Sequence, residues 1–385
     1  MNHTCTRRRF LESSVLAVAG LVLTARSVPA QEQSAFSFVL LGDLHFDKLE
    51  HHDFAWLEKH HPGDIGQIRN YSRISADIMP RLFATVRETV AELNRSAETR
   101  VAFVLQVGDL VEGLCGSEAL AVQQNRDALA FVREARLGVP FLFTKGNHDV
   151  TGDGAAEAFQ QVFHPFLAEQ TAGFTGDGKL TSANYAIEQG GALFCCFDAY
   201  DKQSLDWLEA ALAKRTARHC FVVIHPPVVP YGARATWHLY SSAKDKSRRD
   251  KLLDLLGRQN AFVLGGHIHR FNSLVRSTPP GGKFAQLALS SVISSTDVKA
   301  KDLLSGTAEY NGDQIRVEPK HSPETEPQRR AVYDAERSFV NQFEYADLPG
   351  YAVVTVTANE VTAKIYSGIS RELWRTVELS KLLFA

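Results

Sequence analysis

The chain holds 385 residues, 44% of them apolar, 22% charged and 10% aromatic, with a formal charge of −2. At about 100–200 residues per domain this allows one large domain or two small ones, and the composition excludes wholesale disorder and collagen-like structure. The near-neutral charge argues against a dedicated nucleic-acid binder, with no nucleic-acid-binding patch to be seen, and no apolar run reaches the roughly 18 residues of a membrane span.

In chain order, the first element is a leader. Thr6-Arg7-Arg8-Arg9-Phe10-Leu11 precedes a mild apolar run over 14–24 and then Val28-Pro29-Ala30. A positive segment, a short apolar segment and small residues before a cleavage point make a signal peptide over residues 1–30. Its paired arginines followed by Phe-Leu resemble the twin-arginine export signal, so the twin-arginine export machinery is an expected partner. The mature chain, without a transmembrane segment, is then expected outside the cytoplasm of a bacterium, in the periplasm or beyond. Cleavage after Ala30 removes four Arg and one Glu and shifts the formal charge from −2 to −5.

Residues 31–385 read as the folded domain. Short apolar runs at 36–41, 101–107, 139–143, 220–224 and 261–264 predict buried strands. Longer amphipathic stretches at 74–97, 118–136, 154–168, 205–214 and 248–258 predict helices, with Ser204 as an N-cap. This alternation implies an α/β sheet covered by helices. Residues 184–188 and 192–197 flank Gln189-Gly190-Gly191, which is a hairpin signal. Further strands are predicted at 271–276, 284–289, 351–357 and 361–366, the last two forming a C-terminal hairpin. The stretch 305–348, polar and rich in Glu, Arg and Pro, reads as a surface insertion, and 46–71 reads as a loop with solvent-exposed His51, His52, His60 and His61. Once Cys5 leaves with the leader, Cys115, Cys195, Cys196 and Cys220 remain without CxxC spacing. Buried free thiols are the simpler reading, with one disulfide as an open alternative.

The turns after the five buried strands carry the chemistry. In order these are Gly42-Asp43-Leu44-His45, Gly108-Asp109, Gly146-Asn147-His148-Asp149, His225-Pro226 and Gly265-Gly266-His267-Ile268-His269. Each places metal-capable side chains at the C-terminal end of a strand, the edge where open α/β sheets bind ligands. On an extended segment, Asp-x-His and His-x-His put both side chains on one side. Carboxylates with imidazoles suit Fe, Mn or Zn. About seven ligands exceed one tetrahedral ion and fit two that share a carboxylate. Any one of these motifs is weak, but five in order after five strands are not coincidence.

The pattern D-x-H, GD, GNHD, H, GHxH resembles the calcineurin-like metallophosphoesterase family over about residues 37–269. The resemblance implies a four-layer α/β/β/α sandwich with two mixed β-sheets flanked by helices. It implies two divalent or trivalent transition-metal ions, one held by Asp43, His45 and His269 and the other by Asn147, His225 and His267, with Asp109 bridging. A bridging hydroxide would attack phosphorus, and His148, oriented by Glu112, would protonate the leaving group. A small phosphorylated substrate, mono- or diester, is implied.

Gly113 stands where protein Ser/Thr phosphatases of this family carry Arg. His45 and Leu110-Val111-Glu112 do not fit purple acid phosphatases, and too little chain follows His269 for the substrate domain of 5′-nucleotidases. Asp43-x-His45 with His225-Pro226-Pro227 is similar to the bacterial cyclic-nucleotide phosphodiesterase branch. Arg69, Tyr71, Tyr231, Arg234, Trp237 and His238 follow the first and fourth motifs and are candidate substrate contacts, with plain packing or exposure as the alternative. A non-catalytic phospho-ligand binder or scaffold on the same fold is the competing function, and the intact ligand set counts against it.

Overall fold

The computed structural model describes residues 35–175, 180, 182–232, 236–279, 281–313 and 325–385. The predicted leader and Arg234 lie outside them. The strands in chain order are β1 (Phe36–Leu41), β2 (Val101–Gln106), β3 (Phe141–Phe143), β4 (Tyr185–Gln189), β5 (Ala192–Phe197), β6 (His219–Ile224), β7 (Phe262–Gly265), β8 (Phe271–Ser277), β9 (Lys283–Ala288), β10 (Lys301–Ser305), β11 (Val340–Asp347), β12 (Gly350–Val356), β13 (Val361–Ser367) and β14 (Leu373–Val377).

They form two mixed sheets, ordered β14-β13-β12-β1-β2-β3 and β10-β11-β8-β9-β7-β6-β5-β4. Strands β1, β2 and β3 run parallel, as do β5, β6, β7 and β9. The sheets face each other through aromatic side chains. Phe38 of the first sheet meets Phe194 and Phe221 of the second edge to face, at 5.3 and 5.6 Å. Alternation along β5 sends Cys196 into this inner core and Cys195 into the outer cluster beneath helices Ser204–Ala213 and Lys246–Arg258. Helices Met79–Leu93 and Glu118–Glu134 cover the first sheet, with Phe83 and Phe131 packed at 4.8 Å. The result is the expected α/β/β/α layering. All four described cysteines are free and buried. No helix among the described residues is long and apolar enough to cross a membrane.

Four local expectations need correction. The stretch 46–71 is largely helical, with helix Phe54–His60 capped by Asp53, which accepts from the Trp56 amide, and helix Ile65–Asp77 behind it. The helix expected at 74–97 is two, because the chain turns at Ile78 and restarts with Pro80 in the first turn of Met79–Leu93, where a missing N–H costs nothing. The supposed insertion at 305–348 is built into the fold. Helix Glu326–Arg337 opens on a Thr325–Gln328 capping box, and β11 pairs antiparallel with both β8 and β10. Ser204 is the first residue of its helix and Gln203 stands at the cap; its hydroxyl donates instead to the Asp198 carbonyl at 2.6 Å.

The hairpin forms as read. Gly190 and Gly191 have φ of 54° and 79°, the two positive values that a tight two-residue turn demands.

Candidate metal centre

The two parallel strand groups end at one seam between the sheets. From the first sheet come Asp43 and His45 after β1, Asp109 and Glu112 after β2, and Asn147 and His148 after β3; from the second come His225 after β6 and His267 and His269 after β7. His45, Asp109, His267 and His269 all have positive φ, between 50° and 71°. The side chains are therefore brought together by left-handed turns. The extended segments expected for Asp-x-His and His-x-His are not what aligns them. Non-glycine residues held there cost free energy, and such strain clusters at functional sites. Glycine makes the approach feasible: a Cβ on Gly146 would overlap the Asp109 amide and carboxylate, and one on Gly108, at φ 101°, would overlap the His225 ring.

The carboxylate of Asp109 sits between two donor groups. Its Oδ2 lies 3.0 Å from His225 Nε2 and 3.7 Å from His45 Nε2. Donor atoms of Asp43, His45, Asp109 and His269 all lie within 4.8 Å of one another, as do those of Asp109, His225 and His267. Asn147 Oδ1 joins the second group, 2.9 Å from His267 Nδ1 and 3.3 Å from His225 Nε2. The two triads read from the sequence are thus brought together around Asp109.

A further observation tests whether cations fit. Oδ2 of Asp43 is fully buried and has no hydrogen-bond partner, while its Oδ1 accepts from the His267 amide at 2.8 Å. A buried carboxylate oxygen without a donor is costly. An ion among Asp43, His45 and His269 satisfies it, and imidazole, carboxylate and amide oxygen make a transition-metal donor set.

Outer hydrogen bonds fix the rings. His225 Nδ1 donates to the Val107 carbonyl at 2.9 Å, which turns Nε2 toward the centre. His45 Nδ1 donates to Glu112 Oε2 at 2.7 Å, and Gln67 Nε2 donates to Glu112 Oε1 at 3.1 Å. His148 also meets Glu112, chiefly through the main chain. His148 Nδ1 is 2.7 Å from the backbone carbonyl of Glu112 and 3.3 Å from its carboxylate. The side chain serves His45 first, and the main chain serves His148. Asp149, part of the third motif but assigned no role from sequence, accepts from the amides of Gly146, Asp109 and Val111 at 2.8–3.1 Å and ties two motif loops together.

Electrostatics follow this arrangement. Burial would raise the Asp43 carboxyl, but His269 and His225 hold it at about 2. Asp109 is likewise held well below its ordinary value, its burial outweighed by His225 and His148. Burial and the Asp109 charge push Asp149 up to about 6. Burial disfavours charge on His148, yet Glu112 and Asp109 raise it to about 9. Burial and the neighbouring His225 push His267 down to about 3, leaving it a neutral donor.

A cavity of about 410 Å³ opens over the centre, lined in part by His148, Tyr71, Asn147, His267 and His269. Of the candidate substrate contacts, Tyr71 lines it and stacks on His45 with centroids 4.4 Å apart. Trp237, 38% exposed, lies 5.1 Å from the His267 ring. Arg69 faces a different cavity, over Phe54. Tyr231 is fully buried, its hydroxyl 3.4 Å from the Gly266 carbonyl, and His238 is buried with Nδ1 on the Thr236 carbonyl, so both sit in the packing behind the site. The expected exposure of His51 and His52 is also corrected: both are buried, bonded to Asp127 and Asp47 at 3.1 and 2.7 Å. His60 is exposed, and His61 joins Asp64 and Gln67 on the cavity wall, three residues given no place in the site by sequence reasoning because they sit on a helical region read as a loop.

Comparison with known families matches residues 36–271 to calcineurin-like phosphoesterase. The chain belongs to this family. Membership makes it a metal-dependent phosphoesterase. Similar solved structures include a purple acid phosphatase from yellow lupin (Lupinus luteus) seeds, 11% identical over 91% of this chain, with a TM-score of 0.52. This chain spans 55% of that protein's length, and the likeness is one of fold. Weaker likenesses are GAP50, the anchor in the inner membrane complex of Plasmodium (14% identity, 90% of this chain, 89% of that one, TM-score 0.47), and a dimetal phosphatase from Danio rerio (15%, 90%, 99%, 0.45). Comparison with curated proteins gives no match.

Proposed function

We propose that the phosphoesterase hydrolyses a small phosphate mono- or diester at a centre of two transition-metal ions, Fe, Mn or Zn. Asp43, His45 and His269 hold one, Asn147, His225 and His267 the other, and Asp109 is shared. The observation that carries this reading is the Asp109 carboxylate, which belongs to both donor groups at once. Ions in such a pair supply Lewis-acid charge for the phosphoryl oxygens and lower the pKa of water.

The chain's own residues do the rest. His148, anchored through Nδ1 to the Glu112 carbonyl and set beside two carboxylates, donates a proton to the departing ester oxygen. Glu112 and Gln67 hold His45 in one ring orientation. Tyr71 fixes that ring's face and closes one side of the cavity, whose volume suits a small ester. Turnover of an aryl phosphomonoester and an aryl phosphodiester with added Mn²⁺ tests the reading, and hydrolysis of neither would refute it.

The His225-Pro226-Pro227 pattern favours including cyclic nucleotides in the substrate panel. The leader argues for export by the twin-arginine route, which carries folded cargo and so lets the metals load first. Periplasmic protein should begin at or near Gln31, and an intact Met1 terminus in mass spectrometry would rule this out.

A further inference from the structure

Residues 301–347 lie beyond the part of the chain matched to the family, yet their described portion reaches back to the loop after β6. The described residues after β6, 226–232 and 236–242, carry Trp237 over His267. Two fully buried tyrosines hold it from behind. Tyr310 donates its hydroxyl to the Pro230 carbonyl at 2.7 Å, and Tyr333 donates to the Gly232 carbonyl at 3.1 Å. Their rings pack edge to face at 5.5 Å, and Tyr310 packs on Phe343 of β11 at 5.1 Å.

A buried ion network makes a second tie. Glu336 accepts from Arg249 and from Arg276 of β8, both at 2.6 Å. Arg249 in turn donates to the carbonyls of Val228 and Leu239, one on each arm of the loop, at 2.9 and 3.2 Å. These bonds anchor the loop's backbone on both sides of Trp237, at Val228, Pro230 and Gly232 before it and at Leu239 after it. Trp237 keeps 38% of its surface exposed and lies 5.1 Å from the ring of His267, which lines the cavity over the centre.

We propose that helix Glu326–Arg337 and the Tyr310 turn form a brace that sets Trp237 as one wall of the substrate cleft, and that this wall selects phosphoesters carrying a planar aromatic group. Tyr310, Tyr333 and Glu336 are positioning residues, and Trp237 is the contact. The proposal rests on the phosphoesterase reading.

The test uses metal-loaded full-length protein with naphthyl and butyl esters of phosphate, each as the monoester and as the methyl diester. Relative to wild type, Trp237→Ala should lower the naphthyl-over-butyl preference in kcat/KM by about tenfold. Tyr333→Phe and Tyr310→Phe, which lose one hydroxyl each, should lower it by about threefold, through KM for the naphthyl ester with kcat held. A brace that matters only for folding would instead cut apparent kcat equally for both esters with KM unmoved, and that result overturns the proposal. So does an unchanged preference in Trp237→Ala. If wild type turns over neither group as the monoester or as the methyl diester, the phosphoesterase reading itself fails and the wall falls with it; turnover of both groups with unaltered preference in all three variants removes the wall alone.

Discussion

The two sheets contribute unlike chemistry to the seam. The first supplies both carboxylates, Asp43 and Asp109, with the Asn147 amide and the His45 imidazole, and the second supplies only imidazoles, His225, His267 and His269. The first set is tied by amides, with Asp149 gathering three of them. The second set leans on the first, since His225 bonds the Val107 carbonyl and the His267 amide bonds Asp43. Even so, the protein groups of the two sheets leave the buried Asp43 Oδ2 without a hydrogen-bond donor. A cation held there would satisfy that oxygen and link the two sheets, which would couple metal binding to folding.

The sharpest way to break this account is at the shared carboxylate. Asp109→Asn removes one negative charge where both donor groups meet, so both ions should weaken together and kcat should fall by about 10⁴-fold or more. Elemental analysis and turnover on one preparation check it; two retained ions with near-normal turnover contradict the sharing.

His148→Ala comes next. His148 lies on the first sheet's side but outside both metal groups that share Asp109, so its loss should spare metal content and slow turnover by about 10²–10⁴-fold. An alkyl ester should suffer more than a nitrophenyl ester, whose leaving group needs no proton. Equal losses on the two esters, or lost metal, count against the acid role.

Glu112→Gln sharpens the comparison further. The carboxylate bonds His45, so the variant should show metal affinity lowered by about 10–100-fold, restored rate at high Mn²⁺, and little change in leaving-group dependence. A leaving-group effect like that of His148→Ala would instead make the 3.3 Å contact to His148 the important one.

These assignments separate what the sequence reveals from what it hides. The ligands were legible because each comes after a short apolar strand, and strand periodicity is a local property. The partner of Glu112 was not, because it depends on which loop lies alongside after the sheets form. His51 and His52 looked exposed because their neighbours are polar, yet each ring finds a carboxylate that only the fold delivers. Helix Glu326–Arg337 was hidden by its charged solvent face, with Tyr333 and Glu336 alone turned inward.

The smallest effect on turnover is expected away from the seam. Burial would raise Asp47, but hydrogen bonds from His51, His52 and Ser72 lower it below 3.8; burial would lower His52, but Asp47 and the Leu114 carbonyl raise it above 6.5. The depressed carboxyl stabilises the fold above pH 3.8 and loses that effect as pH falls through its folded value. The raised imidazole stabilises below pH 6.5 and loses that effect as pH rises through its own. The Tm difference between wild type and His52→Gln should therefore be widest between these limits and shrink in alkali, with kcat moved little. A pH-independent difference would show that His52 is neutral in the fold.

The central claim is two ions per chain acting as a unit, and a metal titration tests it most directly. Protein stripped with chelator and returned to Mn²⁺ in steps should gain little turnover from the first equivalent and most of it from the second, with Tm rising through both additions. Full turnover at one equivalent, or turnover in the stripped protein, would contradict the account.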